Sequence, residues 1–380
     1  MKQKTKIEPQ NSWPMPLSLV VMLAALVVYG LAVNAAPETK HAYTIFAFGL
    51  AGLSVALFTG GKGWLGTEPA LLQNPRLKVG VLAAVTLSIG LTINFFGMRQ
   101  FGGFDHSVLV DTPWRMIHHQ TVCRDFPNTF PIGFVLGAYY ANALFGASWH
   151  SNILWTALYA MALFGWTYWI LRKLSVGFFP ALILALSCQA LTNILASYWW
   201  YNSITASTGI LFALSAILLF LRPQERSAQI SYTVALLLMA MMKPNVGGLM
   251  ILGVTTTLLS SPAHRRQALI LSVLAFLLFV AVLAANHLTL GDLLSNYLSV
   301  SGRLFSLTHF LQDLSVEEKV FSIMTMALIL LPFLLCPEGV RALLRGERLQ
   351  VLCVFFAGAA LYGFFTNGEL KWMDFPLAFL

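Results

Sequence analysis

The chain has 380 residues, 58% of them hydrophobic and only 10% charged, with a mean hydropathy of +0.74. Ordinary soluble domains carry roughly 25% charged residues, so the composition excludes a soluble globular protein. The formal charge of +8 would point to nucleic acid on a soluble chain; here an excess of Lys and Arg in cytoplasmic loops accounts for it, and no nucleic-acid partner is expected.

A membrane-crossing helix needs about 20 largely apolar residues, and the chain offers about ten or eleven such runs. Lipid cannot satisfy free backbone groups, so these runs must be helices. The alternating pattern of a membrane β-barrel is absent. The expected fold is therefore all-α: a polytopic transmembrane helical bundle, one domain over residues 1–380, with a long first extracytoplasmic loop that contains amphipathic, interfacial helices.

In chain order, Lys2, Lys4 and Lys6 precede a first apolar run at 16–36 that is too long for a cleaved leader and reads as an anchor. A second run follows at 42–60, then a loop with Lys62, Arg76 and Lys78, then a third run at 79–98. The chain next enters a polar loop over 98–150. Within it, the apolar stretch 132–145 is short for a span. If it crossed the bilayer, Arg172 and Lys173 at the end of the next run would face outward; lying on the outer surface, it leaves them inside, as the positive-inside rule prefers. Further runs are expected at 176–195, 203–221, 230–242, 246–260 and 268–285. A second large outer loop over 287–319 follows, then runs at 320–336 and 351–365. The closing FPLAFL reads as the start of another span, so the chain is expected to be truncated or to lack a final helix. This arrangement puts fifteen Lys and Arg inside against eight outside and all six Asp outside, which sets the N-terminus in the cytoplasm of a cell inner (plasma) membrane protein.

Of the four cysteines, only Cys123 lies in the polar loop, and no CxxC spacing occurs. A disulfide framework or zinc site is not expected.

The stretch 101–131, FGGFDHSVLVDTPWRMIHHQTVCRDFPNTFP, carries three Asp, two Arg and three His in an otherwise apolar chain. A polar loop of this length is more than a connector. His118 and His119 are adjacent, so on a helix they point about 100° apart, which argues against a metal pair. Asp111 sits in an Asp-Thr-Pro that reads as a helix start. Asp125 precedes Pro127, and either capping the next helix or a place at the site fits it. Lys243 lies between two short apolar runs with Pro244 beside it; a lysine at that depth is costly unless a phosphate compensates or it snorkels to the interface. SYWWYN, residues 197–202, is either an interfacial aromatic belt or a surface on which sugars stack.

Several of these features, in order, resemble the GT-C glycosyltransferases, and within them the dolichyl-phosphate-mannose mannosyltransferase and aminoarabinose transferase type. An Asp just past a membrane helix stands in FGGFDHS; CRDFPNTFPIGF resembles an aspartate followed by a proline-bearing apolar stretch; ALFGASW is similar to the family's LFG turn, and YWILRKL to its inner-face basic pair. The match covers roughly 101–176, and MKPNVGG at 242–248 resembles a Lys-Pro element of polyprenyl-dependent members. The resemblance implies transfer of a sugar from a polyprenyl-phosphate donor to a glycolipid, polysaccharide or protein acceptor outside the membrane, with inversion. It makes Asp105 the base that takes the acceptor's proton. Lys243 and Arg303 would hold the leaving phosphate; Arg303 reads equally as a solvated loop residue. Asp125 and His106 are placed with the substrate-binding groups. Many members carry two acids in tandem where this chain has Asp105 followed by His106. A lone carboxylate beside a histidine is a poor site for a hard cation, so no metal or other cofactor is expected. The alternative from another class is a lipid-linked-sugar flippase or other multi-spanning transporter, which predicts charges near the midplane and inverted repeats. A third is an inactive assembly partner.

Overall fold

The computed structural model describes residues 74–99, 104–194 and 196–300. Among them the chain is mostly helical and forms no β-strand. Ten α-helices follow one another: α1 Pro75–Gly97, α2 Phe104–Ile117, α3 Ile132–Phe145, α4 Trp149–Lys173, α5 Phe178–Gln189, α6 Tyr201–Leu221, α7 Arg226–Ala240, α8 Pro244–Ser260, α9 Arg265–Ala285 and α10 Leu290–Val300. A π-helical turn, Ala190–Ile194, continues α5. The runs expected at 16–36, 42–60, 320–336 and 351–365, and Arg303, lie outside the described residues.

Four helices, α1, α4, α6 and α9, are long and apolar enough to cross a membrane. At 1.5 Å per residue their 21 to 25 residues reach about 31–38 Å, against a hydrocarbon core of about 30 Å. With 14 residues, α3 reaches only about 21 Å. Helices α7 and α8, of 15 and 17 residues, also fall short.

The described residues divide into two compact units. In the smaller, residues 74–85 and 175–186, Lys78 Nζ lies 5.5 Å from the centre of the Phe178 ring. The larger holds 86–174 and 187–300. There α6 is the central helix, buried from Asn202 to Ala216 and packed against α4, α7 and α8. Some of its hydroxyls bond carbonyls one turn back, Thr205 to that of Tyr201 at 2.6 Å and Ser203 to that of Trp200 at 2.9 Å, while Ser215 meets Ser231 of α7 at 2.9 Å. Helix α9 packs on α7 and α8 and turns Leu269, Ile270, Val273, Phe276 and Leu277 outward, all exposed. At the far end of α4, Lys173 donates to Glu225 in the α6–α7 turn, where Arg222 and Ser227 also bond the carboxylate. The Lys173 hydrogen bond, then that of Ser227, holds Glu225 down at about 2.

Helix α2 departs from the sequence reading. Asp-Thr-Pro at 111–113 does not start a helix; α2 begins at Phe104 and runs through Pro113. A mid-helix proline has no N–H to give the carbonyl four residues back, which here belongs to Leu109. Two buried asparagines supply the missing donors: Asn152 Nδ2 reaches the Leu109 oxygen at 3.1 Å and Asn142 Nδ2 at 3.3 Å. Asp111 is therefore a mid-helix residue, paired with Arg115 one turn on at 2.9 Å, and not a cap. The proline is tolerated because α3 and α4 complete the hydrogen bonding of α2.

Candidate functional site

The N-terminal end of α3 fixes the geometry around Lys243. Gly133 N donates to the Met241 carbonyl at 2.7 Å. A Cβ on Gly133 would stand 2.8 Å from that oxygen, so glycine lets α3 touch the α7–α8 corner. One turn on, Gly137 leaves room for the Trp199 ring, whose Nε1 donates to the Phe134 carbonyl at 2.8 Å. Trp199 and Trp200 are 2% and 5% exposed. Trp199 and Trp200 are thus core residues, admitted by the two glycine-bearing turns of α3, while Tyr198 and Tyr201 stay half-buried beside them.

These rings form a continuous wall. His106 stacks on Trp149 with centroids 5.1 Å apart and an interplanar angle of 24°. It lies 4.6 Å from Tyr198 and 6.0 Å from Trp200. Trp200 meets Tyr201 at 4.8 Å, and Phe130 and Phe134 pack on both. At the other end, Lys243 Nζ stands 5.2 Å from the Tyr201 ring centre and donates to Asn202 Oδ1 at 3.2 Å. Lys243 is the residue before Pro244, the first of α8. The sequence read it as a costly cation awaiting a phosphate; in the fold it already has an amide and a ring face beside it, which offset part of that cost. The Nδ2 of Asn202 is buried and has no hydrogen-bond partner among the described residues.

Asp105 is the second residue of α2, immediately before His106, so the backbone sets it at the His106 end of the wall. The sequence put it in a loop after Gly102 and Gly103; the helix instead begins before it. Asp125 does not cap α3, which starts seven positions past it, behind Pro131. Its Oδ2 accepts the Thr121 N–H at 2.5 Å, and its own N–H donates to the Thr121 carbonyl at 2.8 Å, closing a turn. His118 bonds the Trp114 carbonyl at 2.8 Å through Nδ1. Among the described residues, no three His, Cys, Asp or Glu side chains gather as metal ligands would.

A strap that the sequence did not reveal joins the segment 118–131 to α10 and the turn before it. Arg124 Nη2 donates to Asp292 Oδ2 at 2.7 Å and to the His287 carbonyl at 3.1 Å. Asn128 and Asn296 meet reciprocally: Asn128 N–H donates to Asn296 Oδ1 at 2.9 Å, and Asn296 Nδ2 donates to the Asn128 carbonyl at 2.6 Å. Asp292 also accepts from Thr289 N and Oγ1, while its own N–H donates to Thr289 Oγ1, a reciprocal cap on α10. The hydrogen bond from Arg124, then that of Thr289, holds the Asp292 carboxyl well below the usual carboxylate range. Arg124 is correspondingly raised. Burial pushes the Cys123 thiol up to about 11, so it is not a reactive thiolate at neutral pH. The strap holds the segment 118–131 in place, and with it Phe130 against the wall.

Compared with family models, with curated proteins and with solved structures, the chain matches none.

Proposed function

We propose that the chain is a polytopic membrane glycosyltransferase of the GT-C kind, with about ten or eleven spans in the cell inner membrane, an N-terminus in the cytoplasm and its site facing outward. It takes a sugar from a polyprenyl-phosphate donor and passes it to a glycolipid, polysaccharide or protein acceptor. One observation carries this reading. His106, next to Asp105, and Lys243 border the same wall of aromatic rings although 137 positions apart in the chain. A lipid-phosphate sugar needs such a set: a carboxylate at the acceptor end, rings against the sugar, a cation at the phosphate. The buried Asn202 amide adds a second donor beside Lys243: with its oxygen on the ammonium, Nδ2 is left to give.

In this mechanism the acceptor hydroxyl attacks the anomeric carbon from the face opposite the phosphate. As the new C–O bond forms and the bond to the phosphate oxygen breaks, the hydroxyl proton passes to the Asp105 carboxylate. Charge builds on the departing polyprenyl phosphate, where Lys243, with Arg303 from the second outer loop, stabilises it. Asp125 and His106 act through structure, the first by closing the turn at 121–125 and the second by packing at the sugar end.

The test is sugar transfer from a labelled synthetic polyprenyl-phosphate donor to membrane acceptors. Asp105→Asn should lower the rate by about 10²–10⁴ at matched protein level. Asp111→Asn should leave it near the parental value, since an exposed i,i+4 ion pair is worth about 0.3–0.5 kcal/mol. Parental transfer by Asp105→Asn overturns the assignment and moves the transporter reading ahead.

A further inference from the structure

The three sides of α10 meet three different surroundings. Leu293 and Asn296 face the protein and are buried. At 100° per residue, Leu290, Leu294 and Leu298 form a stripe on the side of the helix away from Asp292 and Asn296, and are 43%, 61% and 71% exposed. Gly291 and Ser295, also exposed, lie on the remaining flank. Polar bonds on two successive turns fix the rotation of the helix: Asp292 to Arg124, and Asn296 to Asn128. The stripe is therefore not an accident of a loosely held helix. An apolar flank turned away from the protein on a helix this firmly oriented needs an apolar medium.

The chain itself places that medium nearby. Helix α10 starts four residues after α9, residues 286–289, and four residues reach at most about 14 Å. Helix α9 is long and apolar enough to cross a membrane and exposes Leu274, Leu277 and Leu278 around its middle, then Ala281, Ala284 and Ala285 up to its C-terminal end. The leucine stripe thus begins within one short link of a lipid-facing surface.

We infer that α10 is a membrane-surface element: it lies in the outer interface with Leu290, Leu294 and Leu298 in the lipid, Gly291 and Ser295 towards water, and its polar face strapped to the 118–131 segment. The strap then ties the candidate site to the membrane surface. The inference rests on α9 crossing the bilayer and not on sugar transfer, so it stands or falls independently of the enzymatic reading.

The test uses the full chain in proteoliposomes, with the native cysteines replaced by alanine and a single Leu294→Cys, Leu298→Cys or Ser295→Cys carrying an environment-sensitive fluorophore. Quenching is read from nitroxides attached high on the lipid acyl chains and from aqueous iodide. The 294 and 298 labels should be quenched by the lipid nitroxide at least about threefold more than the 295 label, and iodide should show the reverse order, as a flank sunk about 5–10 Å requires. Strong iodide quenching at 294 and 298 overturns the inference, because the stripe then faces water. Shielding from both quenchers also overturns it, because a second copy or residues 301–380 then cover the stripe. The three sites are exposed, so the labels are tolerated; a preparation that aggregates with one leucine site labelled is replaced by the other, read in the same way.

Discussion

Replacing Asn296 by alanine tests the strap. The side chain bonds both backbone groups of Asn128, at 2.9 and 2.6 Å, and both residues are 5% exposed. Alanine removes both partners at once and leaves a buried N–H and a buried C=O unpaired. Each orphaned group costs about 1–3 kcal/mol. The strap lies near the surface, so water reaches part of the gap, and a combined cost of about 2–4 kcal/mol follows from the lower half of that range. Arg124 still holds Asp292, so the loss appears as local opening of the strap and not as global unfolding. At 1.4 kcal/mol per factor of ten, amide exchange in 121–128 and 289–298 should quicken by about 30- to 1,000-fold, with α6 and α9 unchanged. Asn296→Asp should do no better, because a carboxylate oxygen would replace the amine facing the Asn128 carbonyl. Hydrogen exchange read by mass spectrometry gives the answer. Unchanged protection in these two segments, or an equal loss across α6 and α9, refutes the reasoning.

Lys243→Ala should raise the concentration of lipid donor needed for half-maximal transfer by about tenfold to a hundredfold, the worth of a charge-assisted contact of 1.5–3 kcal/mol, with little change for the acceptor; an unchanged donor requirement returns Lys243 to a structural role beside Tyr201 and Asn202. The depressed Asp292 carboxyl gives the strap a pH dependence of known sign. A carboxylate favoured in the fold contributes stability above its unfolded value, near 3.9, and loses that contribution as pH falls through the lowered one; strap protection should therefore match at pH 5 and 8 and fall only under stronger acid. Single cysteines at 120 and 310 should react with an impermeant reagent added to intact cells, and one at 224 should not; outside labelling at 224 sinks the proposed orientation.

Much of the helical architecture was legible because apolar runs of the right length leave the backbone no other choice in lipid. The ends of α6 and α9 fall near the predicted ones for that reason, and Lys243 stands between two short helices as expected. What escaped was set by partners distant in sequence. Nothing near Pro113 tells that α2 continues through it; the donors that permit this come from Asn142 and Asn152 on two later helices. The burial of Trp199 likewise depends on Gly137, 62 positions earlier, which by itself reads as one more small residue in an apolar run. Asn128 and Asn296 carry no local signal, since an asparagine in a polar loop is commonplace until its partner is known. Of the candidate site, the sequence singled out Asp105, His106, Lys243 and the aromatics of 197–202. It missed Trp149, Asn202 as a partner of Lys243, and the whole of the strap.

The wall and the strap do different physical work. Ring packing is close but weakly directional, and wall members such as Phe130 and Phe134 could slide by a fraction of a ring at small cost. A segment held only that way would not keep one register. The Arg124–Asp292 pair adds little by itself, because exposed ion pairs are typically worth about 0.2–1 kcal/mol and weaken with salt. The reciprocal Asn128–Asn296 pair is different: it is buried, it uses two donors and two acceptors in one fixed geometry, and a shift of one residue in either element leaves backbone groups unpaired. Register along the strap therefore comes from the neutral pair, and the ion pair mainly keeps α10 attached when that pair opens. Asp292→Asn and Asn296→Ala separate the two contributions, since the first takes the charge out of the Arg124 pair and the second removes the partners of Asn128. If the second loosens Phe130 from Trp200 and Tyr201 while the first does not, the rings facing the proposed sugar are held in register by two asparagines far from any charge used in transfer.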